Sequence, residues 1–295
     1  TDANFGIMKR DIETARRIAS IRREFGFPKA ISYYPAKNTT KHLTTIMEVL
    51  LDAGISPAAT LSLQTSDPAT LEAVGRQNIS NDHYVALAAD YRRHGYPLTG
   101  DLLLGLPGQT YDSYRADLQF NLDHEIAPRT WQVRILPNSP MNDPEYRDRY
   151  QIESDEWHRI MSTSTFTRQD RARMLQVRNI EITTERLGVL RHVMRWLQWD
   201  HSIAATDLMD HLLEVTSTTP ERFPHLTWLL GNFDLYPTAP VGWSTVYNEV
   251  RHLLIEDYAI GEDSTLDTVL ALQQFLMPHP GRTFPAAITL DHDYL

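Results

Sequence analysis

Asp101-Leu102-Leu103-Leu104-Gly105-Leu106-Pro107-Gly108-Gln109-Thr110 decides how the rest of this 295-residue chain reads. Leu98 to Leu106 has the length of a strand and carries Asp101 within it. Gly105 and Gly108 then break it around Pro107, and Tyr111 to Leu122 follows with helical periodicity. A buried strand, a tight turn and a helix in that order make the repeating unit of a parallel α/β sheet.

The same unit recurs towards the N-terminus. Lys9 to Phe25 places Ile12, Ala15, Ile18 and Ile21 on one helical face, and Pro28 ends it before a strand at Ala30 to Tyr34. Thr44 to Ala53 reads as a helix closed by Gly54. Ala58 to Leu63 reads as a strand, and Asp67 to Gly75 begins a helix with Asp67 as its N-cap and Pro68 at its first position. Asp82 to His94 reads as a helix stopped by Gly95, and Thr130 to Leu136 as a fourth strand. A further strand would end at Asp2. These strands are too few to close an eight-stranded barrel; they suit an open doubly wound sheet or part of a barrel. Either way, the ligand site is expected at the carboxyl ends of the strands.

After about residue 150 the pattern becomes helical. The spacing predicts helices over Glu156–Arg173, Thr183–Trp199, Ala204–Val215, Gly242–Tyr258 and Ser264–Leu276, with no strand alternation. Two regions are therefore expected, 1–150 and 151–295. Trp196, Trp199, Trp228 and Trp243 sit among apolar residues and read as core.

Composition narrows the chemistry. Hydrophobic residues at 42% and charged residues at 22% are those of a globular protein. A net charge of −10 argues against nucleic acid as the main partner. The chain has no cysteine, so its residues supply no disulfide, no thiolate metal ligand and no cysteine nucleophile. Thr1-Asp2-Ala3-Asn4-Phe5-Gly6 is neither basic nor followed by an apolar run, and no apolar stretch approaches membrane-spanning length. A cytoplasmic protein with no membrane partner is the expectation. Gly105 to Thr110 lacks the Lys-Ser/Thr ending of a phosphate-binding loop. His201 and His211 lack a His-Glu-x-x-His arrangement, and no Gly-x-Ser-x-Gly is present.

Three segments carry candidate site residues. Ser62-Leu63-Gln64-Thr65-Ser66-Asp67 is followed by Leu71 and Arg76 on the next helix; the other two are Asp101–Thr110 and Asp2-Ala3-Asn4-Phe5-Gly6-Ile7 with Lys9-Arg10-Asp11. A carboxylate at Asp101 can accept both hydroxyls of a ribose, the Arg76 guanidinium can hold a carboxylate, and the Gln64 amide offers both a donor and an acceptor. Together they suit a zwitterionic nucleoside. On residue types alone a bland alternative stays open, in which Asp101 caps a turn, Arg76 makes a surface ion pair and Gln64 faces solvent.

The ordered set strand–Gln–Thr-Ser, Leu, Arg, then Asp-Leu-Leu-Leu-Gly-Leu-Pro-Gly-Gln-Thr is similar to the radical S-adenosylmethionine (SAM) barrel, in particular the anaerobic coproporphyrinogen oxidase and Elongator-type branch. The twelve residues from Gln64 to Arg76 and twenty-five from Arg76 to Asp101 look like that family's own spacing. The resemblance covers about residues 1–150. It implies a fold of class α/β, a partial (β/α) radical SAM (TIM-like) barrel followed by a helical C-terminal region. It also implies SAM contacts by Gln64 and Asp101 to the ribose hydroxyls, by Arg76 to the methionine carboxylate, and by Ser62 beside them. The Asp2–Ile7 run with Lys9-Arg10-Asp11 resembles the cobalamin-binding subgroup, where Asp2 and Asn4 would face the SAM amino group. The activity so implied is that of a cobalamin-dependent radical SAM methyltransferase or related enzyme. In that family a [4Fe-4S] cluster cleaves SAM to a 5′-deoxyadenosyl radical, and methylcobalamin can supply a methyl group.

The chain departs from that family in lacking the Cys-x-x-x-Cys-x-x-Cys loop and the cobalamin domain, and in having Pro35-Ala36-Lys37-Asn38 where some relatives carry an acidic residue. The expectation is therefore a fragment, inactive by itself, whose missing N-terminal segment holds the cluster and cobalamin. Two alternatives remain: a cluster-free SAM-binding or scaffold module, and a radical SAM enzyme without cobalamin. The substrate, a small molecule or peptide, is not named by the sequence.

Overall fold

The computed structural model describes residues 5–33, 41–95, 98–232, 242–279, 281–283 and 285–290, with the side chains of 41 and 56–59 outside that description. The chain forms two compact units, Thr1–Arg171 and Ala172–Leu295. None of the described helices is long and apolar enough to cross a membrane.

In the first unit α1 (Lys9–Phe25) precedes β1 (Ala30–Tyr33), followed by α2 (Lys41–Asp52), β2 (Ser56–Gln64), α3 (Pro68–Ala73), α4 (Asn81–Arg93), β3 (Leu98–Leu104), α5 (Tyr111–Asp123) and β4 (Ala127–Gln132). The local signals act as expected. Asp67 accepts from the Thr70 N–H at 2.8 Å at the start of α3, ahead of Pro68. Gly26 closes α1 in the left-handed region.

The four strands pair in parallel in the order β1-β2-β3-β4. Each connection steps to the next strand in the same direction, so crossovers of one hand place every helix on one face. The packing bears this out. Leu43 and Met47 of α2 and Tyr84, Leu87, Ala88 and Tyr91 of α4 share a buried cluster with Leu61 and Leu63 of β2. From α5, the Tyr114 hydroxyl lies 3.1 Å from Thr130 Oγ1 of β4 on that same face. A doubly wound sheet must reverse its strand order and so place helices on both sides; the sheet here is singly wound.

Gly100 shows how closely the helices press on it. A Cβ there would stand 2.3 Å from Asn121 Oδ1 and 3.0 Å from the Tyr84 hydroxyl. The opposite face carries Thr60, Ser62, Asp101, Arg129 and Trp131, joined by side-chain hydrogen bonds. Parallel sheets normally bury both faces under apolar cover. This one has an apolar face under helices and a polar face.

Beyond β4 the expected helix Glu156–Arg173 is absent over most of its span. Residues after α6 (Pro144–Arg149) form a short antiparallel pair, β5 (Glu153–Ser154) and β6 (Ile160–Ser162), and α7 (Arg168–Glu181) begins only afterwards. Asp155 causes the departure. Its carboxylate accepts from the Trp157 and Arg159 N–H groups and from Arg159 Nε at 2.6 Å, a local network that competes with helix.

The second unit is helical: α8 (Arg191–His201), α9 (Ala205–Thr218), α10 (Pro224–Gly231), α11 (Trp243–Tyr258) and α12 (Ser264–Leu276). The expected single helix Thr183–Trp199 is split, because a π-turn at Ile182–Arg186 and Gly188 at φ 76° intervene before α8. Glu249 of α11 caps α10, accepting from the backbone N–H groups of His225 and Leu226. Trp196 is core, whereas Trp199 is 68% exposed and is not. Glu181, the last residue of α7, is fully buried with neither carboxyl oxygen partnered. Burial lifts its pKa well above the usual carboxylate range.

Two consequences are measurable. Gly100→Ala should lower stability by about 2 kcal/mol through overpacking, read from urea denaturation. For Glu181 the unfolded chain releases its proton near pH ~4.3 while the fold retains it, so stability falls as pH rises from there towards the raised folded value. Glu181→Gln should therefore raise the denaturation midpoint at pH 8 and leave it nearly unchanged at pH 4. An equal gain at both would rule out ionisation as the cause.

Candidate functional site

Gln64 ends β2 in an unusual conformation. Its φ is 69°, in the left-handed region that a non-glycine residue enters at a cost of about 1 kcal/mol. Strand pairing with β3 shifts between Leu61 and Gln64, which brings Gln64 opposite Leu102. The strain is held from two sides. Asn78 Nδ2 donates to the Leu63 and Thr65 carbonyls at 2.9 and 2.7 Å. Asp117 of α5 accepts from both the N–H and the hydroxyl of Ser66 at 2.6 Å. Burial still pushes the Asp117 carboxyl pKa up, against the opposing effect of those bonds. In this fixed setting Gln64 Oε1 is buried and has no hydrogen-bond partner among the described residues. An orphaned buried acceptor costs about 1–3 kcal/mol and is rare in folded proteins.

Asp101 lies one strand over, within β3 and on the polar face. Only 8% exposed, it is ringed by donors: Oδ1 accepts from Arg129 Nε and Nη2 at 2.9 and 2.7 Å and from Trp131 Nε1 at 3.1 Å. Oδ2 accepts from the Ser62 hydroxyl at 2.9 Å. Ser62 and Asp101 are thus in direct contact, and register places Gln64 opposite Leu102, the residue after Asp101. Asp101 caps no turn. Behind the sheet, burial first and the Asp101 charge second push the Tyr84 phenol up.

Arg76 does not sit on a helix as the sequence suggested. Helix α3 ends at Ala73, and Gly75 at φ 63° turns the chain so that the Arg76 N–H bonds the Leu71 carbonyl at 3.0 Å. This is a Schellman closure. The Arg76 side chain is exposed, and its guanidinium makes no ion pair among the described residues. Asp2, Asn4 and the Pro35-Ala36-Lys37-Asn38 segment lie outside the described residues. Of their neighbours, Asp11 is structural: it accepts from the Gly6 and Met8 N–H groups at 2.9 and 3.0 Å.

The Gly-Leu-Pro-Gly-Gln-Thr loop is a tight turn, as expected, but its close partner is protein. A Cβ on Gly108 would lie 2.9 Å from Ala73 Cβ and 3.0 Å from Thr70 Cα of α3. The Gln109 side chain is buried and staples the loop, accepting from the Gly105 N–H at 2.7 Å and donating to the Leu103 carbonyl at 2.9 Å. No cluster of His, Asp or Glu that could hold a metal ion occurs among the described residues.

No protein-family profile matches the chain. It is 38% identical over 152 residues to the cobalamin-dependent radical SAM methyltransferase TokK of Streptomyces tokunonensis, covering 50% of this chain and 22% of that protein. Over half its length, this chain is a relative of cobalamin-dependent radical SAM methyltransferases. The 2-(S-pantetheinyl)-carbapenam-3-carboxylate methyltransferase of Streptantibioticus cattleyicolor is also 38% identical, over 147 residues, 49% of this chain and 21% of that one. The chain spans about a fifth of the length of these curated relatives. Among solved structures, the radical SAM methyltransferase TsrM from Kitasatospora setae aligns over 48% of this chain and 28% of its own, at 18% identity and a TM-score of 0.40. Coproporphyrinogen III oxidase (HemN) from Escherichia coli, a radical SAM enzyme, aligns over 60% of this chain and 37% of its own, at 18% identity and a TM-score of 0.42.

Beside Ser62 and Asp101 stand two residues that sequence reasoning missed, Arg129 and Trp131. The fourth strand was expected to start at Thr130 but starts at Ala127, and that offset hid the pair. Strand alternation puts 129 and 131 on one face, a signal available once the boundary is right. Because the Asp101 charge is answered by Arg129, Asp101→Asn should lower stability by about 2 kcal/mol, seen as a lower urea midpoint with an unchanged slope.

Proposed function

We propose that this chain is the SAM-binding part of a cobalamin-dependent radical SAM methyltransferase. The observation that carries the reading is Gln64 Oε1: a buried acceptor without a partner, held by a strained backbone at the carboxyl end of a parallel strand. A ligand hydroxyl there would supply the missing donor. The singly wound sheet with its polar face is then part of a (β/α) barrel, and that face is the barrel interior. The covering elements would come from another segment of the same protein.

The residues present fit SAM. Gln64 Oε1 and Asp101 Oδ2 would accept from the ribose hydroxyls, Ser62 orients Asp101, and the Arg76 guanidinium, without an ion pair among the described residues, suits the methionine carboxylate. Asp2 and Asn4 would face the amino group. Bound SAM supplies the methyl group and one-electron chemistry to the enzyme. The chain does not fit an iron–sulfur cluster, since it has no cysteine. The cluster, and cobalamin with it, belongs in this reading to the rest of the protein, and this chain by itself is inactive. The TokK likeness favours cobalamin dependence over the coproporphyrinogen oxidase type and over a cluster-free scaffold. The protein works in the cytoplasm on a small molecule or peptide, not on nucleic acid.

Calorimetric titration with S-adenosylhomocysteine tests the reading. The chain should bind it, and Gln64→Leu should weaken binding by about tenfold. An unchanged affinity in that variant, or no binding by the parent chain, would overturn the assignment.

A further inference from the structure

The SAM-site reading leaves Arg129 and Trp131 without a role, although the geometry around Asp101 is built largely from them. An ionised carboxylate has about four lone-pair positions. Oδ1 receives three donors, two from Arg129 and one from Trp131, whereas among the described residues Oδ2 receives only the Ser62 hydroxyl. The crowded oxygen is filled and the other keeps room for one more donor.

The arrangement is braced from behind. Arg129 Nη2 also lies 3.3 Å from Thr60 Oγ1, which in turn meets Thr99 Oγ1 at 3.0 Å. Trp131 is 55% exposed, so apolar burial does not account for an indole at this place. Its N–H is committed to Asp101 and its ring lies 5.8 Å from the Arg129 guanidinium. The terminal torsion of an aspartate is soft and roughly two-fold, so an unrestrained carboxyl would exchange its oxygens freely. Here donors of different shape on the two oxygens remove that freedom.

We infer that Arg129 and Trp131 are positioning residues: by saturating Asp101 Oδ1 they present Oδ2 as a single, oriented acceptor for one ribose hydroxyl. Neither needs to touch the nucleoside. This inference rests on the reading of the site as a SAM site. It goes further in assigning ribose-against-deoxyribose selectivity to a pair of residues on β4.

The test compares ligands as well as variants. Affinities for S-adenosylhomocysteine and its 2′-deoxy and 3′-deoxy analogues are measured calorimetrically for the parent chain, Trp131→Phe, Arg129→Met and Arg129→Lys. The parent should prefer the full ribose over at least one deoxy analogue by about tenfold. Trp131→Phe and Arg129→Met should lose affinity for the ribose ligand but keep it for that analogue, so the preference collapses, and Arg129→Lys should restore part of it. Trp131→Phe removes one donor at an exposed position and keeps the test valid if Arg129→Met fails to fold. A uniform loss across all three ligands, or a retained preference in Trp131→Phe, overturns the inference while leaving the SAM site standing. Failure of the parent chain to bind any of them overturns the SAM site itself, and the inference with it.

Discussion

A carboxylate placed in the middle of a parallel sheet loses most of its hydration, and nothing apolar can repay that loss. Asp101 is such a group, and much of the first unit is arranged around it. The residue aligned with it on β4 is an arginine, the next one on that face a tryptophan with its N–H turned inward, and the residue facing it from β2 a serine. Had the sheet been covered on both faces by helices, these positions would need to be apolar. Polar side chains persist because the helices all lie on the other side. The electrostatic demand of one residue and the winding of the sheet are therefore the same fact seen at two scales.

That asymmetry gives the functional reading its physical basis. A singly wound sheet keeps one face for packing and one for chemistry, and the chemistry face collects groups that a hydrophobic core would reject. Gln64 ends β2 in a backbone conformation that costs energy, with its side-chain oxygen unanswered among the described residues. Strain and an unmet hydrogen bond at one residue are hard to explain as packing. They are easy to explain as preparation for a ligand. The likeness to the cobalamin-dependent radical SAM methyltransferase TokK extends over half the chain.

Much of the fold is legible in the sequence where local chemistry alone sets the outcome. Helices α1 and α12 fall where periodicity puts them, and Asp67 with Pro68 starts α3 as capping rules require. Legibility fails where tertiary contacts decide. Asp155 organises a loop through three donors and overrides an apparently helical stretch. Arg76 looks helical in the sequence because the left-handed turn at Gly75 is a local event that a periodic pattern cannot register. At the site, the identities of Ser62, Gln64 and Asp101 are visible in the sequence. Their partners on β4 are not, because strand register is a property of two segments and neither announces it alone.

The two loops that border this site are one mechanical part. Gly108 lets the turn after β3 lie directly against α3, and α3 begins four residues after Gln64. Gln109 fixes the other end of that turn to the strand that carries Asp101. The strands that carry Gln64 and Asp101 are thereby coupled through close packing of the turn after β3 against α3. Lengthening either connection by a residue would shift Gln64 and Asp101 together. A change in chain length is therefore tolerated better away from this joint than within it.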